Sequence, residues 1–239
     1  MSAWVGTSGW DYPHWSSVFY PEDLEEADYL EYAAQALPSL EVNNSFYSLP
    51  EADTLERWRE TTPDGFVFSL KASRYITHMK KLKTADDALG KLIDRSQVLR
   101  EKLGPLLFQL PPHWNADRER LDRFLDRLPD DLRCTFEFRD PSWFCDEVYD
   151  ALERHGAALC FYDLDGRQSP TERTADFVYI RLHGPDGPYK GRYTRSELSG
   201  WAGAIHSWLR TGSDVYCYFD NDERGYAALN ALELHEMVT

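Results

Sequence analysis

Eight short stretches of this chain alternate between apolar residues on one parity and polar or ionisable residues on the other, with the ionisable ones gathered at the end of each stretch. In Cys134-Thr135-Phe136-Glu137-Phe138-Arg139, the residues Thr135, Glu137 and Arg139 share a face. In Val178-Tyr179-Ile180-Arg181-Leu182-His183, they are Tyr179, Arg181 and His183. Leu40-Glu41-Val42-Asn43, Val67-Phe68-Ser69-Leu70-Lys71 and Val215-Tyr216-Cys217-Tyr218-Phe219-Asp220 repeat the pattern. Successive side chains of a strand point to opposite faces, so each stretch sends hydrocarbon one way and a charge or amide the other. A water-facing surface would carry Lys, Glu, Thr and Ser along its whole length. Ionisable groups confined to strand ends instead predict a closed barrel with a polar pocket at one mouth.

Helical segments separate these stretches. Apolar spacing predicts helices over 29–37, from Asp53 (with Glu56 placed for a reciprocal cap), from Thr84 to Leu103, from Asn115, from Asp146 to His155, from Thr194 (a second capping box, with Glu197) through Trp208, and over 225–238. Strands are expected near 4–8, 40–45, 66–71, 105–110, 133–139, 157–163, 177–183 and 214–220. Strand–helix alternation argues for a parallel sheet, and eight such units make a single TIM-type (β/α)8 barrel of the α/β class over residues 1–239. The link from Asp163 to Phe177, between the sixth and seventh of these strands, is rich in Gly, Pro, Ser, Thr and Arg and predicts no helix.

The net charge of -15 disfavours nucleic acid and anionic lipid as extended partners, because both need basic surface. An acidic, lysine-poor composition suits a salt-rich cytoplasm, as in a halophilic organism; coding bias in an ordinary acidic protein is the alternative. No apolar run is long enough to span a membrane, and Met1 to Gly6 shows no secretory pattern, so a cytoplasmic location is expected. Cys134, Cys160 and Cys217 fall on what reads as the apolar parity and are expected to be buried, reduced thiols.

Residues at the C-terminal ends of barrel strands face the active-site mouth. The inward parity there comprises Ser8, Glu41, Asn43, Lys71, Gln109, Glu137, Arg139, Asp163, Arg181, His183 and Asp220. Such a set could be ion pairs that only fix strand register. Buried pairs stabilise poorly compared with hydrocarbon of the same volume, which favours a functional pocket. The following loops add Trp10, Tyr12, His78, Trp143 and Asn221, an aromatic and cationic rim suited to a flat or sugar-like anion.

The segments Gly6-Thr7-Ser8-Gly9-Trp10-Asp11-Tyr12, Glu41-Val42-Asn43-Asn44-Ser45-Phe46-Tyr47, Gln109-Leu110-Pro111-Pro112, Glu137-Phe138-Arg139, Tyr179-Ile180-Arg181-Leu182-His183-Gly184 and Tyr218-Phe219-Asp220-Asn221-Asp222 together resemble the domain of unknown function 72 family, also called YecE-like. The resemblance runs along essentially the whole chain and implies a TIM-type barrel without implying a reaction. The sequence departs from it at Asp140, where the family often has His, and at Ser16-Ser17, which replaces a glycine-containing step.

The leading expectation is an enzyme that acts on a small anionic or polyhydroxylated molecule, a phosphate or carboxylate, by general acid/base chemistry. Lys71, Arg139 and Arg181 would hold the anion; Glu41 or Glu137 would be the base or acid, with His183 as proton shuttle and Asp163 as a further carboxylate. No metal or other cofactor is expected, since phosphate-cradling and dinucleotide glycine motifs are absent and no His-x-Asp cluster occurs. A metal-assisted nuclease or nucleic-acid-binding barrel is one alternative; a non-catalytic anion-binding or sensing protein is another. A glycosidase pairing of Glu41 with Glu137 looks too widely spaced around the ring for a retaining mechanism.

Overall fold

The computed structural model describes residues 1–83 and 86–239. Thr84, expected to open a helix, lies outside the described residues. Eight parallel strands close into the expected barrel: β1 (Ala3–Ser8), β2 (Ser39–Val42), β3 (Val67–Lys71), β4 (Leu103–Gln109), β5 (Cys134–Glu137), β6 (Ala158–Leu164), β8 (Phe177–Leu182) and β9 (Asp214–Phe219). Pairing of β1 with β9 and of β5 with β6 completes the ring. The two-residue β7 (Arg167–Gln168) folds back antiparallel on the end of β6, outside the ring.

Among the described residues, seven α-helices cover the barrel: α1 (Tyr29–Ala36), α2 (Ala52–Thr61), α3 (Asp86–Ser96), α4 (Arg118–Leu125), α5 (Asp146–Arg154), α6 (Arg195–Arg210) and α7 (Tyr226–Val238). Their starts show how far local chemistry reaches. Thr194 and Glu197 form the reciprocal cap expected of them. The same reading fails at α2, which begins at Ala52 after Glu51 with no side-chain cap, so Asp53 lies inside the first turn. Asp117, rather than Asn115, caps α4 by accepting from the Arg120 amide.

The link between β6 and β8 carries no helix, as expected. Side-chain hydroxyls tie it along β6 instead: Ser169 Oγ accepts from the Tyr162 amide at 2.9 Å, and Thr174 Oγ1 accepts from the Leu159 amide at 2.9 Å while donating to the Ala157 carbonyl at 2.7 Å. Backbone groups that a covering helix would leave to the sheet are thereby satisfied. Among the described residues no helix is long and apolar enough to cross a membrane.

The apolar core has two parts. The larger lies between sheet and helices and includes Val5, Leu40, Phe68, Phe136, Phe138, Ile180 and Phe219. The smaller fills the lower lumen with Val67, Leu107, Ala158, Cys160, Phe177, Tyr179, Tyr216 and Tyr218, and Trp4 stacks on Tyr216 at 4.7 Å. The lumen accommodates Tyr218 because small residues surround it: its hydroxyl meets Ser39 Oγ at 2.7 Å and Ser69 Oγ at 3.1 Å. Gly6 is tighter still, since a Cβ there would sit 1.8 Å from the Ser39 carbonyl oxygen on β2. Strand backbones cannot move apart by that amount without losing ladder bonds. Gly6→Ala should therefore destabilise the protein by about 1–3 kcal/mol or more in urea unfolding, the cost of an overfilled core. A change below about 0.5 kcal/mol, the range of an ordinary surface substitution, would show that the β1–β2 contact is looser than described.

Candidate active site

Most strands end by placing polar or ionisable side chains over this lumen, and the layer they form is organised around Arg181. Its guanidinium is 1% exposed and meets three carboxylates: Glu41 Oε1 at 2.7 Å, Glu137 Oε2 at 2.9 Å and Asp220 Oδ2 at 2.9 Å. Nε donates to both Glu41 oxygens at 3.1 Å, and Nη2 also donates to Ser8 Oγ at 3.1 Å. Ser8 Oγ donates to Glu41 at 2.5 Å and Tyr179 Oη does so at 2.6 Å. The inward parities of β1, β2, β5, β8 and β9 thus converge on one group.

Arg139 forms a second ion pair, with the other Glu137 oxygen, and lies over the Tyr162 ring at 5.0 Å. His183 fills the angle between the two arginines. Its Nε2 lies 3.0 Å from Arg139 Nη2, and its Nδ1 lies 3.1 Å from Asp220 Oδ2. Guanidinium groups only donate, so Nε2 must accept and the ring proton belongs on Nδ1, facing Asp220. Tyr189, from the loop after β8, packs its ring edge-on against His183 at 5.6 Å.

Opposing effects set the protonation of this layer. Burial pushes the Glu137 carboxyl up, but Arg139 and Arg181 outweigh it and hold the group well below the usual carboxylate range. Asp220 follows the same balance, with burial overcome by Arg181 and His183. Burial, assisted by Arg181, brings Lys71 down to about 8. Burial, Lys71 and Arg74 bring His78 down to about 4. Because Glu137 and Asp220 are lowered in the folded state, the stability they confer is complete above the ordinary carboxylate range and is lost progressively as pH falls from that range to their lowered folded values. Acid titration followed by tryptophan fluorescence should show unfolding that Glu137→Gln makes shallower. An equally steep acid transition in Glu137→Gln would remove this carboxylate from the cause.

Glu41, Glu137, His183, Arg139, Arg181, Asp220 and Ser8 thus meet as the alternation predicts. Lys71 and Asn43 adjoin them, Nζ donating to Asn43 Oδ1 at 3.1 Å. Gln109 pairs in register with Glu137 at the same level. Tyr12 reaches over the layer, its hydroxyl donating to the Ser8 carbonyl at 2.9 Å. His78 sits on a π-helical turn (Tyr75–Met79), the type of irregularity that often marks functional sites, with its ring 5.0 Å from Phe46.

Three expected members lie elsewhere. Asp163 has the parity of Phe161, which packs into the outer core, and its recorded partner is Gln168 rather than any member of the Arg181 network; Tyr162 occupies the inward position instead. Trp143 is fully buried, stacked on Phe138 at 4.8 Å with its indole N–H on the Trp114 carbonyl, so it anchors the rim and lines no pocket. Asn221 donates to the Gly191 carbonyl and to Asn230, tying the loop after β8 to α7. Cys160 also departs from expectation, lying inside the lumen beneath Glu137, whereas Cys134 and Cys217 face the helices. All three thiols are buried and free, as expected. Glu41 and Glu137, expected to be too widely spaced for a retaining glycosidase pair, are bridged by one guanidinium, Arg181 Nε and Nη2 donating to Glu41 and Nη1 to Glu137. Tyr179 and Tyr162 join the layer as well; Tyr179 shares its parity with Arg181, while nothing in the apolar run of β6 marks Tyr162.

Three carboxylates and an imidazole would be a donor set for a divalent cation, but the Arg181 guanidinium occupies the space between them. Among the described residues, no group of three or more His, Cys, Asp or Glu is arranged to hold a metal ion. Beside the charged layer, a cavity of about 460 Å³ opens between the β1 and β2 loops and α2, lined by Trp10, Tyr12, Asn43, Arg57 and Trp58 among others. Asn43 belongs to both, so the cavity abuts the residue that holds Lys71.

A family model described as "Protein of unknown function DUF72" matches residues 4–239. The chain belongs to the DUF72 family. UPF0759 protein YunF of Bacillus subtilis (strain 168) is 26% identical over 268 residues, covering 98% of this chain and 94% of its own. UPF0759 protein YecE of Escherichia coli (strain K12) is 30% identical over 142 residues, 59% of this chain and 50% of its own. The crystal structure of a DUF72 family protein from Thermotoga maritima matches with a TM-score of 0.89 at 26% identity, over 100% of this chain and 99% of that one. A D-psicose 3-epimerase from Clostridium cellulolyticum, solved with D-tagatose, has a TM-score of 0.57 at 10% identity over 100% of this chain and 98% of its own, which shows a shared barrel fold alone.

Proposed function

We propose that this DUF72 protein is an enzyme that binds a small anionic or polyhydroxylated molecule at the C-terminal mouth of its barrel and transfers protons within it. The observation that carries this reading is the buried ion cluster itself, with Glu137, Arg139, Arg181, His183 and Asp220 in mutual contact at the face where barrels of this type hold their chemistry. Apolar residues of the same volume would stabilise that layer as well or better, so stability does not account for it.

The geometry divides the labour. Every Arg181 nitrogen already donates within the cluster, so this residue organises the layer, and ligand contact passes to Arg139 and Lys71 nearer the mouth. Glu137 is the general base; His183 relays the proton, Nδ1 toward Asp220 and Nε2 toward Arg139 and Glu137. Tyr12, Asn43 and Gln109 supply neutral hydrogen bonds suited to hydroxyl groups. An anionic ligand would enter despite the net charge of -15, because a cleft walled by low-dielectric protein is governed by its own lining.

The test is a metabolite panel of phosphates, carboxylates and sugars read by thermal shift, with and without divalent metals, followed by deuterium incorporation into each hit. A bound ligand raises Tm by mass action even without turnover. The expected result is a ligand that binds wild type and gains solvent deuterium, with Glu137→Gln retaining binding and losing exchange. A panel that gives neither binding nor exchange would sink the reading. Binding without exchange in wild type would leave a non-catalytic anion receptor.

A further inference from the structure

Among the described residues two lysines are buried, and their surroundings differ. Lys102 Nζ has three oxygen acceptors: the Arg59 carbonyl at 2.6 Å, the Thr62 carbonyl at 2.6 Å and Thr62 Oγ1 at 3.3 Å. An ammonium has three protons to donate, and this site takes them all. Lys71, 7% exposed at the mouth, has one hydrogen-bond acceptor, Asn43 Oδ1, and lies 4.7 Å over the Phe46 ring. Among the described residues no carboxylate lies within ion-pair distance of its Nζ, whereas Arg139 and Arg181 on either side are both paired. Lys71 Nζ therefore keeps hydrogen-bonding capacity that its partners do not use, and Asn43, its acceptor, also lines the cavity of about 460 Å³.

We propose that Lys71 is a nucleophilic amine that forms a Schiff base with an aldehyde or ketone substrate seated at the barrel mouth. The inference rests on the proton-transfer reading above and narrows its substrate class to carbonyl compounds. The Nζ lone pair adds to the carbonyl carbon and the C=O π pair moves to oxygen. Loss of that oxygen as water, with both protons of the amine, leaves the C=N bond, and no oxidant or reductant is consumed. Protonation of the imine then makes the neighbouring C–H acidic. Glu137 can remove that proton and His183 can return it. A lysine lowered to about 8 holds about a tenth of its amine free at pH 7, against roughly three parts in ten thousand at the ordinary value.

The experiment is reductive trapping of the whole protein with borohydride in the presence of glycolaldehyde or pyruvate, with each modified lysine located by peptide mass spectrometry. Lys71 should be labelled at least about tenfold faster than the exposed Lys80, Lys91 and Lys190 at pH 7. Its rate should level off above about pH 8 while theirs continue to rise. Lys71→Arg should lose that adduct and keep the others. The pH profile of wild type alone carries the test if the variant fails to fold. Labelling of Lys71 no faster than the exposed lysines overturns the inference. In that event, ligand-dependent deuterium exchange in wild type would still show whether the broader proton-transfer reading stands.

Discussion

Arg181→Met will destabilise the protein by about 3–5 kcal/mol at neutral pH, the range measured when one partner of a buried ion pair is removed. The substitution keeps most of the side-chain volume, so little of the loss is cavity formation. It comes from Glu41, Glu137 and Asp220, left in a lumen where each had been held by the same guanidinium. Two controls separate this cause from simple packing damage. Lowering the pH should shrink the difference from wild type, because protonated carboxyls no longer need the cation. Adding Glu41→Gln, Glu137→Gln and Asp220→Asn to Arg181→Met should recover part of the loss. Urea unfolding provides the measurement. A deficit under about 1 kcal/mol, the scale of an exposed pair, would mean that water reaches the cluster and that the layer is not the closed structure described.

Lys71 should produce the opposite sign at the other end of the pH scale. Its folded value is lowered from 10.5 to about 8, so between those limits the unfolded chain binds more protons than the folded one. Stability therefore rises with pH across that window, and the cost of holding the ammonium in the barrel is fully present below it. A shift of this size corresponds to about 3 kcal/mol. Other groups oppose the trend: burial raises the Cys134 and Cys217 thiols and the Tyr20 and Tyr193 hydroxyls, so each resists an ionisation that the unfolded chain undergoes freely above about pH 9 to 10. The informative quantity is thus the difference between wild type and Lys71→Met, in which these groups cancel. Unfolding free energies at pH 7, 8.5 and 9.5 should show Lys71→Met the more stable protein at pH 7, with the gap narrowing upward. A gap that does not vary with pH would place the amine in contact with water.

The alternation made the barrel and most of its charged layer legible because Glu41, Glu137, Arg181, His183 and Asp220 each sit among neighbours whose opposite parity is plainly apolar. β6 offers no such contrast. In Ala158-Leu159-Cys160-Phe161-Tyr162-Asp163 both parities are apolar until the last two positions, so period-two reading points the acid inward although Tyr162 is the residue facing the lumen. The same lack of contrast hides the lumen position of Cys160. Trp143, expected among the rim aromatics, packs differently: the 3-10 turn after β5 carries its indole back onto Phe138, which loop composition does not encode. The single guanidinium that joins five strands depends on radial convergence, which linear spacing does not encode.

The aromatic packing beneath the charged layer makes the lumen a well with one opening. Trp4, Phe177, Tyr179, Tyr216 and Tyr218 fill the space below Glu41 and Glu137, so hydronium and water approach the carboxylates from the mouth. Under the proton-transfer reading proposed above, a molecule covering the mouth would shut off that approach, and the exchangeable hydrogens on Arg181, His183 and Tyr179 would keep the isotope content they had at the moment of capture. Label introduced by prior incubation in heavy water would then travel with the complex and appear in the first product released, while later turnovers report the solvent of the chase. The first turnover would carry a memory of the solution in which the site was last open.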